Sequence, residues 1–373
     1  MFQFNLNPIL IVGAFPKKQV YGGIYSSCKL IINSNQFSEF KIIPFDSSQI
    51  SNPPPPFFIR FFLAAIRIIK FLYILAAENP KLALIFCSDG ASAIEKGFMT
   101  LLCKSLRIKV LIFPRAGKLI EQTKKSNLFR KLIIFLFKKA DVFLAQAENW
   151  NQFAKNQLQT PNKKIKIIHN WTATDDLLNI GANKNYPKFS NITKFLFVGW
   201  IEKEKGIFEI LEAIKILNNR KYKFTFNFVG NGKLMKTIKD FISKNKLEDF
   251  IAFEGWKPNN QLFEYYKSAD VFVLPSWAEG MPNALIEALS CGLASITTNV
   301  GMIPNYLKDN HSALLVNPKN TEELTIVMEK LILDENLKLK LSKNGYKVAK
   351  KYFSSEKGLK SLSELIKNEI KNE

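Results

Sequence analysis

The chain is 373 residues long, which suits two ordinary domains rather than one, and its 47% of hydrophobic residues supplies enough apolar material for two cores. Four cysteines without a C-x-x-C spacing and two histidines argue against a disulfide framework or a zinc site. The formal net charge of +21 is uneven, since the first 185 residues hold 25 lysines and arginines against 10 acidic residues.

The basic first half has two interpretations. It indicates an anionic partner, either a lipid surface or nucleic acid; alternatively, it reflects a general excess of lysine in a chain that is also rich in Asn, Ile and Phe. No nucleic-acid-binding motif accompanies the charge, so nucleic acid is not a predicted partner. Residues 1–12 lack the features of a secretory signal peptide, and together with the few cysteines this predicts a cytoplasmic protein.

Short apolar runs and longer helical patterns alternate through the first half of the chain. Each apolar run is followed by turn residues, as expected for the buried strands of a parallel sheet that helices cover on both faces. The predicted strands are Ile9–Val12, Leu82–Phe86, Val110–Phe113 and Val142–Ala145, with helices at Phe57–Ala77 and Asn127–Lys139. We assign residues 1–170 to this first α/β domain.

The second half repeats this alternation. A polar segment predicts a linker at 171–191, and a second α/β domain is assigned to 192–355. Residues 356–373 are expected to form a C-terminal helix that packs back on the first domain. The predicted strands are Phe195–Val198, Phe224–Val229, Val271–Leu274, Ala294–Thr297 and Ala313–Val316, with a helix at Gly206–Asn218. Because open α/β sheets bind ligands beyond the carboxyl ends of their strands, the loops after these strands are the candidate site.

Two predicted helices of the first half combine apolar and basic residues. The helix Phe57–Ala77 has transmembrane length, but Arg60, Arg67 and Lys70 lie on one side of it and argue against spanning. The helix Asn127–Lys139 surrounds its aromatic and aliphatic residues with four basic ones. This pattern predicts an interfacial position on anionic lipid. The alternative is that both helices simply cover the sheet and leave their cations in solvent.

The most informative segment is 275–292, which follows the strand Val271–Leu274 and opens a helix at Pro282. Amides at a helix N-terminus attract a phosphate or a sugar oxygen. Glu279 in the loop and Glu287 in the helix offer carboxylates to sugar and ribose hydroxyls. The alternative is that both glutamates are ordinary helix-start and surface charges.

This segment resembles the E-x7-E element of glycosyltransferase family 4 (group 1), the retaining GT-B glycosyltransferases, with Glu279 and Glu287 as the two glutamates. The stretches 197–206, 230–232 and 253–256 resemble further motifs of that family. The resemblance implies a GT-B fold, in which two Rossmann-like domains face each other across an interdomain cleft. The first domain would bind the acceptor and the second the nucleotide-sugar donor.

The resemblance also implies roles for individual residues. Glu279 would contact the transferred sugar, Lys205 would neutralise the diphosphate, and Glu287 would hold the donor ribose. Glycine in the loop of the first domain would let the backbone approach the diphosphate. The base would lie beside the 253–256 stretch. The donor-binding set is Gly22, Gly23, Gly199, Trp200, Gly255, Trp256, Gly280, Met281, Pro282, Asn283, Ala284 and Glu287.

Two positions depart from the family pattern. Trp200 follows Gly199 where the family often has arginine, and Arg115 lies where the family often has a histidine after the strand Val110–Phe113. We include Arg115 as a catalytic candidate, a cation that assists the leaving group or the acceptor but cannot act as a general base near neutral pH. The two histidines, His169 and His311, are expected to be structural.

The sequence therefore predicts a glycosyltransferase that moves a sugar from a nucleotide diphosphate-sugar to a saccharide or lipid-linked saccharide, with surface polysaccharide as the implied product. No D-x-D motif is present, so cationic side chains and helix amides would stabilise the leaving group, with no metal ion or cofactor. Retention of the anomeric configuration is implied by the resemblance alone. The alternatives are a non-catalytic nucleotide-sugar-binding subunit and a nucleotide-sugar epimerase of the same double fold.

Overall fold

The structure, a computed structural model, describes residues 6–15, 22–48, 55–184 and 192–371. Within these residues the strands are β1 Asn7–Gly13, β2 Phe40–Asp46, β3 Leu82–Cys87, β4 Lys109–Pro114, β5 Val142–Ala145, β6 Ile165–Ile167, β7 Thr193–Val198, β8 Phe224–Val229, β9 Ile251–Phe253, β10 Val271–Leu274, β11 Ala294–Thr298 and β12 Leu314–Val316.

The helices in the same part of the chain are α1 Gly23–Ile32, α2 Phe57–Glu78, α3 Ala91–Ser105, α4 Lys118–Lys125, α5 Asn127–Phe137, α6 Glu148–Asn156, α7 Asp175–Ala182, α8 Ile207–Asn219, α9 Met235–Asn245, α10 Asn259–Ser268, α11 Asn283–Ser290, α12 Ile303–Tyr306, α13 Thr321–Leu333, α14 Glu335–Tyr352 and α15 Ser355–Lys371. All the predicted strands and helices are present, with ends that differ by a few residues.

The chain divides into two compact units. Unit 1 comprises Met1–Trp171 and Ser355–Glu373, and unit 2 comprises Thr172–Ser354. The described strands of unit 1 form a parallel sheet in the order β2-β1-β3-β4-β5-β6. Every residue of β3 is buried, as expected for a central strand that helices cover on both faces.

The described strands of unit 2 form a second parallel sheet, in the order β12-β11-β10-β7-β8-β9. Parallel pairing brings the carboxyl ends of β7, β8, β9 and β10 to one edge of this sheet. Helices α13 and α14 begin at side-chain caps, where Asn320 and Asp334 accept hydrogen bonds from backbone amides three residues ahead. In both units the strands are parallel and alternate with helices along the chain, which is the doubly wound α/β architecture that the sequence predicts.

Part of the predicted linker 171–191 is helical. Its polar composition predicts a linker, but residues Asp175–Ala182 form helix α7, in which Leu177 and Leu178 are buried. Gly181 explains the close packing, because a Cβ at this position would lie 2.1 Å from the backbone oxygen of Ser290. Gly181 is thus a site of close contact between helices of unit 2. Pro187 lies outside the described residues.

Helix α15 belongs to unit 1 although unit 2 precedes it in the sequence. Leu359, Leu362, Ile366 and Ile370 of α15 join the buried cluster that contains residues of β1, β3 and β4. The Ser363 hydroxyl donates a 2.6 Å hydrogen bond to the Gln36 carbonyl oxygen. The C-terminal segment therefore completes the core of the first unit.

Helix α2 buries little of its apolar surface. Among its described side chains only Phe71 and Leu75 are buried, whereas Phe61 and Phe62 are 70% and 65% exposed. Within the described residues, no helix combines the length and the uninterrupted apolar character needed to cross a bilayer. The exposed surface of α2 is thus an unusual feature of unit 1 that the sheet does not account for.

Candidate active site

Lys205 and Glu279 form an ion pair at the carboxyl edge of the unit 2 sheet. Lys205 ends the turn after β7, Glu279 lies in the loop after β10, and these strands are neighbours in the sheet. The Lys205 ammonium donates to Glu279 Oε1 at 2.5 Å, and the two side chains are 26% and 11% exposed. A cation and a carboxylate that both reach solvent at a strand end can each bind a part of a polar ligand.

Backbone contacts hold the two loops together. The Trp277 amide donates a 2.8 Å hydrogen bond to the Glu204 carbonyl oxygen. Gly206 has a φ of +74°, and a Cβ there would lie 2.3 Å from the backbone oxygen of Pro275. Only glycine combines this left-handed conformation with such close contact. The position of Lys205 relative to Glu279 is therefore set by the backbone.

A third loop supports the segment before α11. Thr298 donates a hydrogen bond of 2.6 Å to the Ser276 carbonyl oxygen, and the Met302 amide donates one of 3.0 Å to Gly280. A Cβ at Gly301, whose φ is +61°, would meet the Glu279 backbone oxygen at 2.0 Å. The loop that carries Glu279 is thus fixed on two sides, by the segments after β7 and β11.

The predicted donor-binding residues 280–284 lie where this loop enters α11. Pro282 is the residue immediately before the helix, and Asn283 and Ala284 form its first turn. Met281 is buried, whereas the other residues of this group are partly exposed. The arrangement directs the positive end of the α11 dipole towards the same edge as Lys205 and Glu279.

Glu287 lies one turn into α11 and is partly buried. Its Oε2 accepts a 2.7 Å hydrogen bond from the Tyr266 hydroxyl. Burial raises the pKa of the Glu287 carboxyl above its usual value, and the hydrogen bond from Tyr266 offsets this only in part. Burial, reinforced by the Glu287 carboxylate, likewise raises the pKa of Tyr266 well above its usual value. The carboxylate thus has capacity to accept further hydrogen bonds.

The loops after β7, β8 and β9 lie side by side. The Gly199 amide donates to the Val229 carbonyl oxygen at 3.0 Å, and the Gly230 amide donates to the Gly255 carbonyl oxygen at 2.8 Å. A Cβ at Gly230 would lie 1.8 Å from the Gly199 oxygen, so these turns touch through their backbones. Trp200 is partly buried and Trp256 is 40% exposed. All four predicted residues, Gly199, Trp200, Gly255 and Trp256, therefore lie at the sheet edge that carries Lys205.

In unit 1, the predicted glycine loop precedes helix α1. Gly22 immediately precedes the helix and Gly23 is its first residue, whereas Tyr21 lies outside the described residues. Gly22 has an extended φ of −154°, and a Cβ there would meet no heavy atom within 4 Å. The described part of the fold therefore does not require glycine at this position, which leaves the close approach of a ligand as a reason for it.

Arg115, directly after β4, reaches the start of α1. Its Nη2 donates a 3.0 Å hydrogen bond to the Ser27 hydroxyl, and its guanidinium lies 5.0 Å and 5.2 Å from the ring centroids of Phe113 and Trp171. Nη1 is buried and has no hydrogen-bond partner among the described residues. Burial lowers the pKa of Arg115 to about 10, which leaves it charged at neutral pH. Unit 1 thus places an oriented cation with an unused donor beside the glycine loop.

The two histidines have different environments. His169 Nδ1 lies 3.2 Å from the Gln146 carbonyl oxygen, and burial lowers the pKa of its imidazole. His311 is exposed, and its carbonyl oxygen accepts a 2.9 Å hydrogen bond from the Asn344 side chain. Across the described residues, His, Cys, Asp and Glu side chains form no cluster of three or more suited to a metal ion.

The structure groups the predicted site residues in two sets, one in each unit: Gly22, Gly23 and Arg115 in unit 1, and the others in unit 2. Three partners were missed by the sequence reasoning, namely Tyr266 beside Glu287, and Ser27 and Trp171 beside Arg115. These contacts join residues 21, 88 and 56 positions apart. No local pattern signals such pairs, because tertiary packing creates them.

Solved structures share this architecture across the whole chain. Sucrose-phosphate synthase from Thermosynechococcus elongatus has a TM-score of 0.77 at 17% identity, and the match covers 98% of this chain and 100% of that one. HepE of Anabaena in complex with UDP has a TM-score of 0.70 at 13% identity, and this match covers 97% and 100%. The chain therefore has the fold of these structures, a GT-B fold.

The sequence comparisons find similarity chiefly to the second unit. The family model "Glycosyl transferases group 1" matches residues 182–348, so this part of the chain is similar to that family. An uncharacterized glycosyltransferase of Methanocaldococcus jannaschii is 31% identical over 208 residues, 56% of this chain and 55% of the relative. A capsular polysaccharide biosynthesis glycosyltransferase of Staphylococcus aureus, CapM, is 27% identical over 244 residues, 61% and 63% of the two chains. The chain thus spans less than two thirds of either relative.

Proposed function

We propose that this chain is a glycosyltransferase that transfers a sugar from a nucleotide diphosphate-sugar to a saccharide or lipid-linked saccharide acceptor. The observation that supports this most directly is the Lys205–Glu279 pair at the edge of a domain similar to the group 1 family. The named relatives include a capsular polysaccharide glycosyltransferase, which supports a surface polysaccharide as the product.

Lys205 and Glu279 would bind different parts of the donor. An ammonium group has three hydrogen-bond donors, and Lys205 uses one of them on Glu279, so two are left for the diphosphate oxygens. As the sugar–phosphate bond breaks, negative charge grows on the leaving diphosphate, and Lys205 with the first amides of α11 stabilises it. Glu279 keeps Lys205 in position and accepts hydrogen bonds from the transferred sugar.

The nucleoside part of the donor would lie along the same sheet edge. Glu287 accepts hydrogen bonds from the ribose diol, and the base packs beside Gly255 and Trp256. The solved structures of HepE in complex with UDP and with UDP-glucose support a nucleotide-sugar as the ligand of such a fold. The roles proposed for unit 1 rest on the sequence, in which Gly22 and Gly23 resemble the diphosphate loop of the family and Arg115 is a cation suited to assist the leaving group or the acceptor.

The transfer is proposed to proceed with retention of the anomeric configuration, as in glycosyltransferase family 4, and without a metal ion. Retention rests on the family resemblance. Metal independence rests on the cations and helix amides that this site offers in place of a metal ion. Analysis of the product anomer by NMR tests the first proposal, because an inverted product would contradict it.

The test of the function compares two lysines of one turn. A thermal-shift screen with UDP, GDP, ADP and their sugars first identifies the donor. Release of the nucleoside diphosphate is then measured for Lys205→Ala and for Lys203→Ala, whose ammonium lies over the Trp277 ring at 5.5 Å. We expect Lys205→Ala to lower the rate about 10²–10³-fold, the usual effect of losing one oxyanion stabiliser, and Lys203→Ala to lower it by less than about threefold.

Two further arms use the same assay. Excess EDTA should leave the rate unchanged, and a strict requirement for added manganese would show that a metal ion takes part. Arg115→Ala should slow release without abolishing donor binding; an undiminished rate would remove Arg115 from the site. Donor binding without turnover on any acceptor would instead favour a non-catalytic nucleotide-sugar-binding subunit. That alternative is suggested by Arg115, which lies where the family often has a histidine.

A further inference from the structure

Unit 1 contains a cavity of about 1060 Å³ between α2 and α3. This volume is at the upper limit of ordinary ligand pockets, which measure roughly 300–1,000 Å³. None of the roles assigned above to Gly22, Gly23 and Arg115 uses it. The cavity therefore has room for a ligand or for part of a large one.

Most of the cavity wall is apolar. Helix α2 contributes Leu63, Ala64 and Ile68, and helix α3 contributes Leu101 and Leu102. All five residues are only partly buried, so each still has apolar surface to cover. An apolar chain placed here would gain roughly 25 cal/mol for every Å² of surface that it removes from water.

One end of the cavity is charged. Arg67 Nε donates to Glu95 Oε1 at 2.7 Å, and the almost fully buried Lys96 donates to Glu95 Oε2 at 2.9 Å and to the Ser47 carbonyl oxygen at 3.4 Å. Burial acts to raise the pKa of Glu95, but the two cations outweigh it and hold the pKa below its usual value. One carboxylate is thus shared by two cations.

The described lining residues carry a positive balance. Arg60, Arg67 and Lys96 are cationic, and Glu95 is the single acidic residue among them. A fixed positive excess beside an apolar wall is complementary to a ligand with an anionic head and an apolar chain. A nucleotide-sugar has no apolar chain, and free phosphate would leave the apolar wall exposed to water.

The charged end lies beside the end of β1, because Ser47, whose carbonyl oxygen accepts from Lys96, donates through its hydroxyl to the Gly13 carbonyl oxygen at 2.9 Å. Gly13 and Ala14 at the end of β1, Ile24 in the first turn of α1, and Ser88 after β3 all line the cavity. Gly22 and Gly23, which belong to the proposed donor site, immediately precede Ile24 in the chain. A head group bound at this end would therefore lie beside the glycine loop, with its chain directed between α2 and α3.

We propose that this cavity binds the lipid part of the acceptor, an amphiphile whose phosphate head lies at Arg60, Arg67 and Lys96 and whose apolar chain lies between α2 and α3. The proposal rests on the proposed function and extends it, because it selects the lipid-linked saccharide over the free saccharide. Binding of the lipid phosphate is nevertheless a separate event from binding of the donor.

The test uses dodecyl phosphate as a probe below its micellar concentration, with isothermal titration calorimetry on the full chain. We expect saturable binding that is at least tenfold tighter than that of inorganic phosphate or dodecanol, with a negative heat-capacity change as the chain is buried. Equal affinity for all three probes, or no binding of dodecyl phosphate, would overturn the proposal.

Variants locate the site. Ala64→Trp and Leu101→Trp fill the cavity from opposite walls, and each should weaken dodecyl phosphate binding at least tenfold. Ala76→Trp is the matched control, because Ala76 is exposed on α2 and does not line the cavity. It should bind the probe as the wild type does. Undiminished binding by both filling variants would contradict the assignment.

A second measurement separates this proposal from the function. The thermal shift produced by the nucleoside diphosphate should be the same in wild type, Ala64→Trp and Ala76→Trp, which also shows that the variants are folded. If no nucleotide binds but dodecyl phosphate does, the proposed function fails and the cavity assignment survives. The opposite result leaves the donor site intact and removes the lipid site.

Discussion

At the scale of single residues, Glu287 shows how a partly buried carboxylate with few hydrogen-bond donors can identify a binding site. Its carboxylate is partly buried and has one hydrogen bond, from Tyr266, in the described structure. Because burial disfavours the charged form, the pKa of Glu287 is raised. A structural carboxylate would be expected to have acquired more donors, whereas a binding carboxylate keeps acceptor sites for its ligand.

This leads to a pH-dependent prediction for Glu287→Gln. A carboxyl whose pKa is raised by folding does not lower the stability at a pH below its unfolded-state pKa, because it is then protonated in both states. As the pH rises towards the folded-state pKa, the unfolded state ionises first, and the free energy of unfolding falls. The variant lacks this cost, so its unfolding temperature should exceed that of the wild type at pH 8 and differ little from it at pH 4. Scanning calorimetry at the two pH values measures the difference.

The same variant should bind the donor more weakly. A hydrogen bond to a charged group contributes about 1.5–3 kcal/mol, so the loss of the carboxylate predicts roughly 10–150-fold lower affinity for the nucleoside diphosphate. Gain of stability with loss of affinity is the pattern expected of a binding residue. A variant that is less stable at pH 8 and binds normally would make Glu287 a structural residue.

At the scale of elements, glycines set how closely the strand-end loops approach one another. Gly206 and Gly255 both have left-handed φ values, +74° and +67°, but they differ in their surroundings. A Cβ at Gly206 would collide with the backbone of Pro275, whereas a Cβ at Gly255 would meet nothing within 4 Å. Alanine substitutions at the two positions therefore separate the cost of the left-handed backbone conformation from the cost of steric contact.

We expect Gly255→Ala to lower the free energy of unfolding by about 1–2 kcal/mol, the cost of a left-handed alanine. Gly206→Ala adds the displacement of the loop after β10 and should cost about 2–4 kcal/mol in total. Denaturant titration measures both changes. Equal losses would mean that the contact between the two loops contributes nothing to stability.

At the scale of the whole molecule, the uneven charge coincides with exposed apolar surface in unit 1. The basic helices α2 and α5 expose Phe62 and Leu128, which are 65% and 80% accessible, and Lys139 of the same unit lies over the Phe135 ring. The sequence allowed both an interfacial helix and a simple cover for the sheet. The high exposure of α2 favours the first interpretation, and we propose that unit 1 contacts an anionic membrane surface.

Co-sedimentation with anionic vesicles tests this proposal. Binding should be strong at low salt and weak near 1 M salt, where charges are screened beyond about 3 Å. Replacing Phe62 and Leu128 with serine should lower the partition coefficient at least tenfold, because each side chain contributes about 1.5–3 kcal/mol when buried. The control replaces Ile326 and Leu333, exposed apolar residues of unit 2, and should bind normally. Absence of binding at every salt concentration would end the proposal.

The local pattern of the sequence determined much of this protein. Apolar runs that end at turn residues identified the strands and helices, because burial and backbone geometry act over a few residues. The segment from Pro275 to Gly292 likewise identified the candidate site, since its loop, its helix start and both glutamates are contiguous.

Tertiary structure decided what depends on distant residues. It paired Lys205 with Glu279 and Arg115 with Ser27, converted part of the predicted linker into α7, and placed α15 in unit 1. It also formed the cavity between α2 and α3, which the hydrophobic periodicity of the sequence does not predict. Such features arise where segments far apart in the chain meet. The sequence pattern predicts which residues are buried, but it does not predict which surfaces cover them.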